Sequence, residues 1–140
     1  MKKVVALVAL SLLMAGCVSN GKVSVSREQL QHHRFVLESV DGKPIAASQQ
    51  APELSFGEKM TISGKMCNRF TGQATLSDGE LKAKNLAMTR MMCADPQLNQ
   101  LDATLSAMLS KGAQVDLTAN QLTLATAEHT LSYKLADLMQ

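Results

Sequence analysis

The chain has 140 residues, 14 Lys+Arg against 12 Asp+Glu, 46% apolar residues and only 3% aromatic ones. At about 100–200 residues per domain it makes one domain, and its apolar content with interspersed charge excludes a disordered chain. The formal excess of +2 resides in Lys2 and Lys3, so the rest is electrically balanced, which argues against a nucleic-acid binder.

Residues 1–16 read as a lipoprotein signal peptide: a positive start at Lys2 and Lys3, an apolar run from Val4 to Met14, and the small pair Ala15-Gly16 before Cys17. A lipoprotein signal peptidase cuts before a cysteine that already carries a diacylglyceryl thioether, and small residues at the two preceding positions fit its cleft. Met14 stands where Leu is usual. The apolar run, about 11 residues, falls short of the about 20 that span a bilayer. Cys17 is therefore the expected lipidation site and the membrane a partner through that anchor, since two or three acyl chains hold stably where one holds marginally. Val18 follows where an aspartate would signal inner-membrane retention, so the expected address is the outer membrane, facing the periplasm. Residues 17–29 read as a polar tether.

From Leu30 to the C-terminus, closely spaced glycines punctuate alternating apolar residues: Phe35 with Leu37, Met60 with Ile62, Leu81 with Ala83, Leu86 with Met88, Val115 with Leu117, Leu122 with Leu124, and Leu131 with Tyr133 and Leu135. Period-two alternation marks strands with one buried face, and Asp41-Gly42, Asp78-Gly79 and Ala119-Asn120 supply turns between them. About eight or nine strands suffice for a small antiparallel barrel. One α-helix interrupts them at about 95–110: Asp95 is an N-cap, Pro96 fits the first turn, and Leu98, Leu101, Leu105 and Met108 recur at helical spacing until Gly112. The fold class is mainly β (α+β). The helix's apolar stripe is expected to cover the protein's own sheet rather than a partner.

The candidate chemistry is sparse. In an exported protein Cys67 and Cys93 are expected to pair as a disulfide, with roughly 3.5 kcal/mol of stabilisation on the chain-entropy model; the alternative is two buried thiols. Met60, Met66, Met88, Met91 and Met92 gather near them in sequence, and soft sulfur ligands select Cu(I). Met also fills core gaps, and a disulfide would remove both thiolates. His32, His33 and His129 lie in no metal-binding array. There is no phosphate loop, nucleophile elbow or paired-acid motif, so neither a catalytic residue, a metal site nor a cofactor is expected.

Two segments carry a resemblance. Gly64-Lys65-Met66-Cys67-Asn68-Arg69-Phe70-Thr71-Gly72 resembles the G-x-x-CN-x-x-x-G turn of the META domain, and Thr89-Arg90-Met91-Met92-Cys93 resembles its T-x-M-x-C signature. Phe35 with Leu37 and Gly42-Lys43-Pro44 look like the family's first strand and turn, with Phe where Trp is commoner, and Leu122-Thr123-Leu124 looks like its late strand. The domain would run over residues 30–140. The resemblance implies a compact antiparallel barrel-like fold with one helix, heat-shock induction and an association with novobiocin tolerance; it implies no reaction. Gly64, Asn68, Arg69, Gly72, Thr89 and Met91 form the motif patch. There Asn68 suits a left-handed or turn conformation, Gly72 relieves a bend, and Thr89 bonds backbone beside the cysteines.

The leading expectation is thus a non-catalytic, membrane-tethered stress protein of the cell envelope that contacts an envelope protein or small ligand. The alternatives are a barrel whose lumen holds an apolar compound and a Cu(I)-binding Met/Cys module.

Overall fold

A computed structural model describes residues 25–45 and 51–136. The stretch read as a signal peptide, Cys17, Val18 and most of the stretch read as tether lie outside the described residues.

The first described element is a single helical turn, α1 (Arg27–Leu30), closed by reciprocal Ser26 and Gln29 capping. Val25 and Leu30 are buried in the core, so folded structure begins inside the stretch read as tether. Nine strands follow: β1 (His33–Val40), β2 (Lys43–Pro44), β3 (Glu53–Phe56), β4 (Thr61–Lys65), β5 (Arg69–Ser77), β6 (Glu80–Met88), β7 (Ala113–Thr118), β8 (Gln121–Ala125) and β9 (Thr130–Leu135). A long helix, α2 (Pro96–Lys111), separates β6 from β7.

Every pairing is antiparallel between neighbours, and β1 also pairs with β9, with Phe35 opposite Leu135 and Leu37 opposite Tyr133. That contact closes eight strands into a barrel; β2 is a short extra strand on β1. An eight-stranded barrel is just wide enough for side chains to fill. Phe35, Leu54, Phe56, Ile62, Leu122, Leu131 and Tyr133 do so, each at 2% exposure or less, and Phe35 meets Phe56 edge to face at 6.0 Å. This packed interior gives an apolar-lumen reading no support.

The alternating residues face as the pattern predicts, with one instructive departure. Leu81 and Ala83 are buried, whereas Leu86 and Met88 are only half-buried. Between these pairs the β5–β6 register shifts, and Asn85 takes a left-handed φ of 55°. The extra residue is a β-bulge that preserves the facing of Leu86 and Met88 while bending the strand. Gly72 accommodates it: a Cβ there would lie 2.7 Å from Leu86 Cδ2.

β7 pairs with β6 only at Glu80 and Leu81. Past these residues α2 packs against β6, burying Leu101, Leu105, Met108 and Leu109. Asp95 caps the helix by accepting from the Gln97 N–H at 2.8 Å. Gly112, at φ 104°, ends it while its N–H still donates to the Met108 carbonyl.

Candidate functional site

The two motif segments meet at one end of the barrel. β4 runs into the turn Met66-Cys67-Asn68, β6 runs into the loop 89–95, and Cys67 and Cys93 are joined in a disulfide with their Cα atoms 5.8 Å apart. Beneath it, Asn68 is buried and uses both ends of its amide. Its Oδ1 accepts from the Thr89 hydroxyl at 2.8 Å and from the Met91 N–H at 2.6 Å, while its Nδ2 donates to the Met91 carbonyl at 3.0 Å. Asn68 therefore holds the Thr89–Met91 backbone as a strand would. It lies in the turn expected of it, though its backbone is not among the left-handed residues, and its side-chain bonding is what fixes the loop. Thr89 completes the clasp by accepting from the Arg69 N–H at 3.2 Å.

Asp102 of α2 supplies the third side. Its Oδ1 accepts from the N–H groups of Cys67 and Asn68, both at 3.0 Å, and its Oδ2 accepts from Asn68 Nδ2 at 2.7 Å. A buried carboxylate is costly unless its hydrogen-bonding capacity is met, and three donors meet it here. One turn earlier, Asn99 accepts from the Cys93 N–H at 3.0 Å and donates to the Cys93 carbonyl at 2.8 Å. Disulfide, Asn68, Asn99 and Asp102 thus fasten one loop to one helix.

Gly64 acts from β4. A Cβ there would stand 2.1 Å from the Glu53 carbonyl oxygen, so only glycine lets β3 come this close. Arg69 contributes its backbone, with its side chain exposed. The family model for the META domain matches residues 28–137.

The chain belongs to the META domain family. It is 75% identical to Heat shock protein HslJ of Escherichia coli (strain K12), over 139 residues that make up 99% of each chain. Its fold matches a solved NMR structure at a TM-score of 0.78 and 73% identity, covering 83% of this chain and 99% of that one. A second NMR structure, of a protein from Burkholderia xenovorans, matches at a TM-score of 0.63 and 25% identity, over 79% of this chain and 86% of that one. Of the family's motif residues in this chain, Asn68 is buried, Gly64 and Gly72 are half-buried, and Arg69, Thr89 and Met91 are exposed; Asn68 and Thr89 shape the loop through their hydrogen bonds.

What the clasp presents is the loop's outer surface. Met91 and Met92 are 69% and 86% exposed, the large apolar side chains that stand out in solvent among the described residues. They border an open groove of about 490 Å³ between the end of β6 and α2. Met88, Met91 and Met92 line this groove, whereas Met60 and Met66 are buried in the core, so the five methionines do not gather at one place, and the disulfide leaves Cu(I) no thiolate. Among the described residues no three His, Cys, Asp or Glu side chains gather to hold a metal ion.

Asn99 and Asp102 escaped the motif reading because they lie on the helix, outside both signatures. The signal was there: Asp102 falls between Leu101 and Leu105 on the apolar stripe, where a carboxylate must be paired.

Proposed function

We propose that the protein is a heat-shock-related module of the cell envelope, tethered to the outer membrane through Cys17, that acts by contact with an envelope protein and supports novobiocin tolerance. The observation that carries the reading is the rigidly held, exposed Met91-Met92 loop. Two large apolar side chains in water are unfavourable for a lone domain, and contact surfaces are where such patches are retained. The clasp reduces the entropy lost when that loop is covered. The heat-shock connection follows from the similarity to HslJ; the anchor follows from the Ala15-Gly16-Cys17 sequence.

The placement of the loop supports the same reading. α1 lies by the turn before β4, where Gln31 Oε1 accepts from the Met60 N–H and the His32 N–H donates to the Phe56 carbonyl. Cys67 lies beyond the other end of β4. Five strand residues separate the two ends by roughly 17 Å, so the chain at Val25 joins the barrel at one end and the methionines stand at the other.

A photocrosslinking residue at Met92 in the full-length chain, in intact cells under heat or novobiocin stress, tests this. Discrete protein adducts that disappear in a Cys17→Ala background are expected. The same adducts, undiminished without Cys17, would remove the anchor from the mechanism; no adduct above an uncrosslinked control would remove the contact.

A further inference from the structure

Among the described residues, β6 past Leu81 has a strand partner along one side only. It pairs with β5 from Glu80 to Met88, while β7 meets it at Glu80 and Leu81 and then departs. The free side can be phased. The Thr89 N–H donates to the Arg69 carbonyl at 3.0 Å, so Met88, one residue back, turns its own N–H and C=O away from β5 and toward the gap. The groove of about 490 Å³ lies there, lined by Leu86, Met88 and Arg90 on the strand side and by Ala103 and Ser106 on α2.

An open strand edge beside an apolar trough fits an extended polypeptide: the ladder supplies backbone hydrogen bonds, and the trough takes alternate side chains. An α-helix would leave the edge groups of Met88 unpaired. The apolar lining includes Met88, Met91 and Met92, unbranched side chains that repack around varied sequences. Charge narrows the occupant further. Lys82 and Lys84 are exposed on β6 and Arg90 is exposed at the groove, whereas the groove's carboxylate, Asp102, is engaged by Asn68 and two backbone N–H groups.

We propose that the free edge of β6 around Met88 binds an extended polypeptide segment as an added strand, with an apolar residue in the methionine trough and acidic residues toward Lys84 and Arg90. The proposal rests on the contact reading above and specifies the partner's form: a chain segment without helical structure, as unfolded or disordered polypeptides present.

The test uses the full-length chain in detergent micelles and fluorescence anisotropy. The probes are a fluorescein-labelled peptide of alternating Val and Thr flanked by Glu, the same peptide flanked by Lys, and two versions N-methylated along one or the other edge. Expected are saturable binding of the Glu-flanked parent, at least tenfold weaker binding of the Lys-flanked form, and a tenfold loss on methylating one edge but not the other. Met92→Asp should weaken the parent several-fold with an unchanged far-UV CD spectrum. Equal binding of both methylated forms and the parent, or no saturation at millimolar parent, would overturn the added-strand proposal. Met92 crosslinks surviving that result would leave the contact reading in place; peptide binding without cellular crosslinks would do the reverse.

Discussion

The Asp102 carboxylate and the Asn68 amide, 34 residues apart in the chain, meet at 2.7 Å beneath the disulfide. Asp102 simultaneously accepts from the backbone N–H groups of Cys67 and Asn68. Truncating it strands three donors, and an unsatisfied buried donor costs about 1–3 kcal/mol, softened where water enters. Asp102→Ala should therefore lower the unfolding free energy by about 3 kcal/mol in urea titrations. A loss under about 1 kcal/mol would show that the carboxylate does not hold the turn.

Replacing both Cys67 and Cys93 by Ala should cost roughly 3.5 kcal/mol, because the disulfide restricts the unfolded chain. It should also loosen the loop 89–95, since Asn68 and Asn99 would hold it unaided. Limited proteolysis should then cut near Met91-Met92 in the variant and not in the parent.

Tyr133 is fully buried, and among the described residues its hydroxyl has no hydrogen-bond partner. Burial pushes its pKa well above the ordinary phenol value. Tyr133→Phe removes a desolvated hydroxyl and keeps the ring, so it should raise stability by about 1 kcal/mol. A loss of similar size in thermal unfolding would mean that the hydroxyl is bonded.

Asp41 joins two turns: its carboxylate accepts from the Thr130 N–H at 2.8 Å and contacts His129 Nδ1 at 3.0 Å. These bonds, that to His129 foremost, hold its pKa below the ordinary value of 3.8. A carboxylate with a depressed folded-state pKa adds stability above its unfolded value and loses it as pH falls through the folded one. Stability contributed by Asp41 should thus be present above about pH 4 and fade below it, and Asp41→Asn should flatten the acid limb of a stability–pH curve there. An unchanged limb would remove Asp41 from the acid response.

Gly64 and Gly72 are both sterically closed, yet they should respond differently. A Cβ at Gly64 meets the Glu53 carbonyl, fixed backbone, at 2.1 Å; one at Gly72 meets Leu86 Cδ2, the end of a side chain, at 2.7 Å. Overpacking costs typically 1–3 kcal/mol. Gly64→Ala should sit at about 3 kcal/mol or prevent folding, and Gly72→Ala at about 1 kcal/mol. The reverse order in matched denaturation curves would contradict this geometry.

The barrel was legible because alternation is a local signal: Leu122 with Leu124 and Leu131 with Tyr133 declare their faces without knowledge of their neighbours. The phase break between Leu81-Ala83 and Leu86-Met88 is present in the sequence, but only the paired strands identify it as a bulge, facing the Gly72 expected to relieve a bend. Asp95, Pro96 and Gly112 marked the ends of α2 through local chemistry. The site was half legible. Asn68 and Thr89 stood out by motif, but their meaning depends on Asp102 and Asn99, which reach them only through folding. The opening between β6 and β7 had no sequence signal, because it is set by where α2 lies. Val25, inside the stretch read as tether, shows its burial only against the finished barrel.

With Cys17 as the anchor, the two-ended layout sets a working height. The eight peptide links from Cys17 to Val25 reach at most about 28 Å, and the barrel adds roughly 17 Å along β4 before Cys67. With that anchor, the methionines would work in a shell roughly 45 Å deep from the bilayer surface. Confinement to such a layer raises the local concentration of anything else attached to that membrane. On the proposed anchoring, a given weak affinity at the groove would favour membrane-bound partners over freely diffusing ones, so an anchor at Cys17 would itself act as a filter on what the loop could capture.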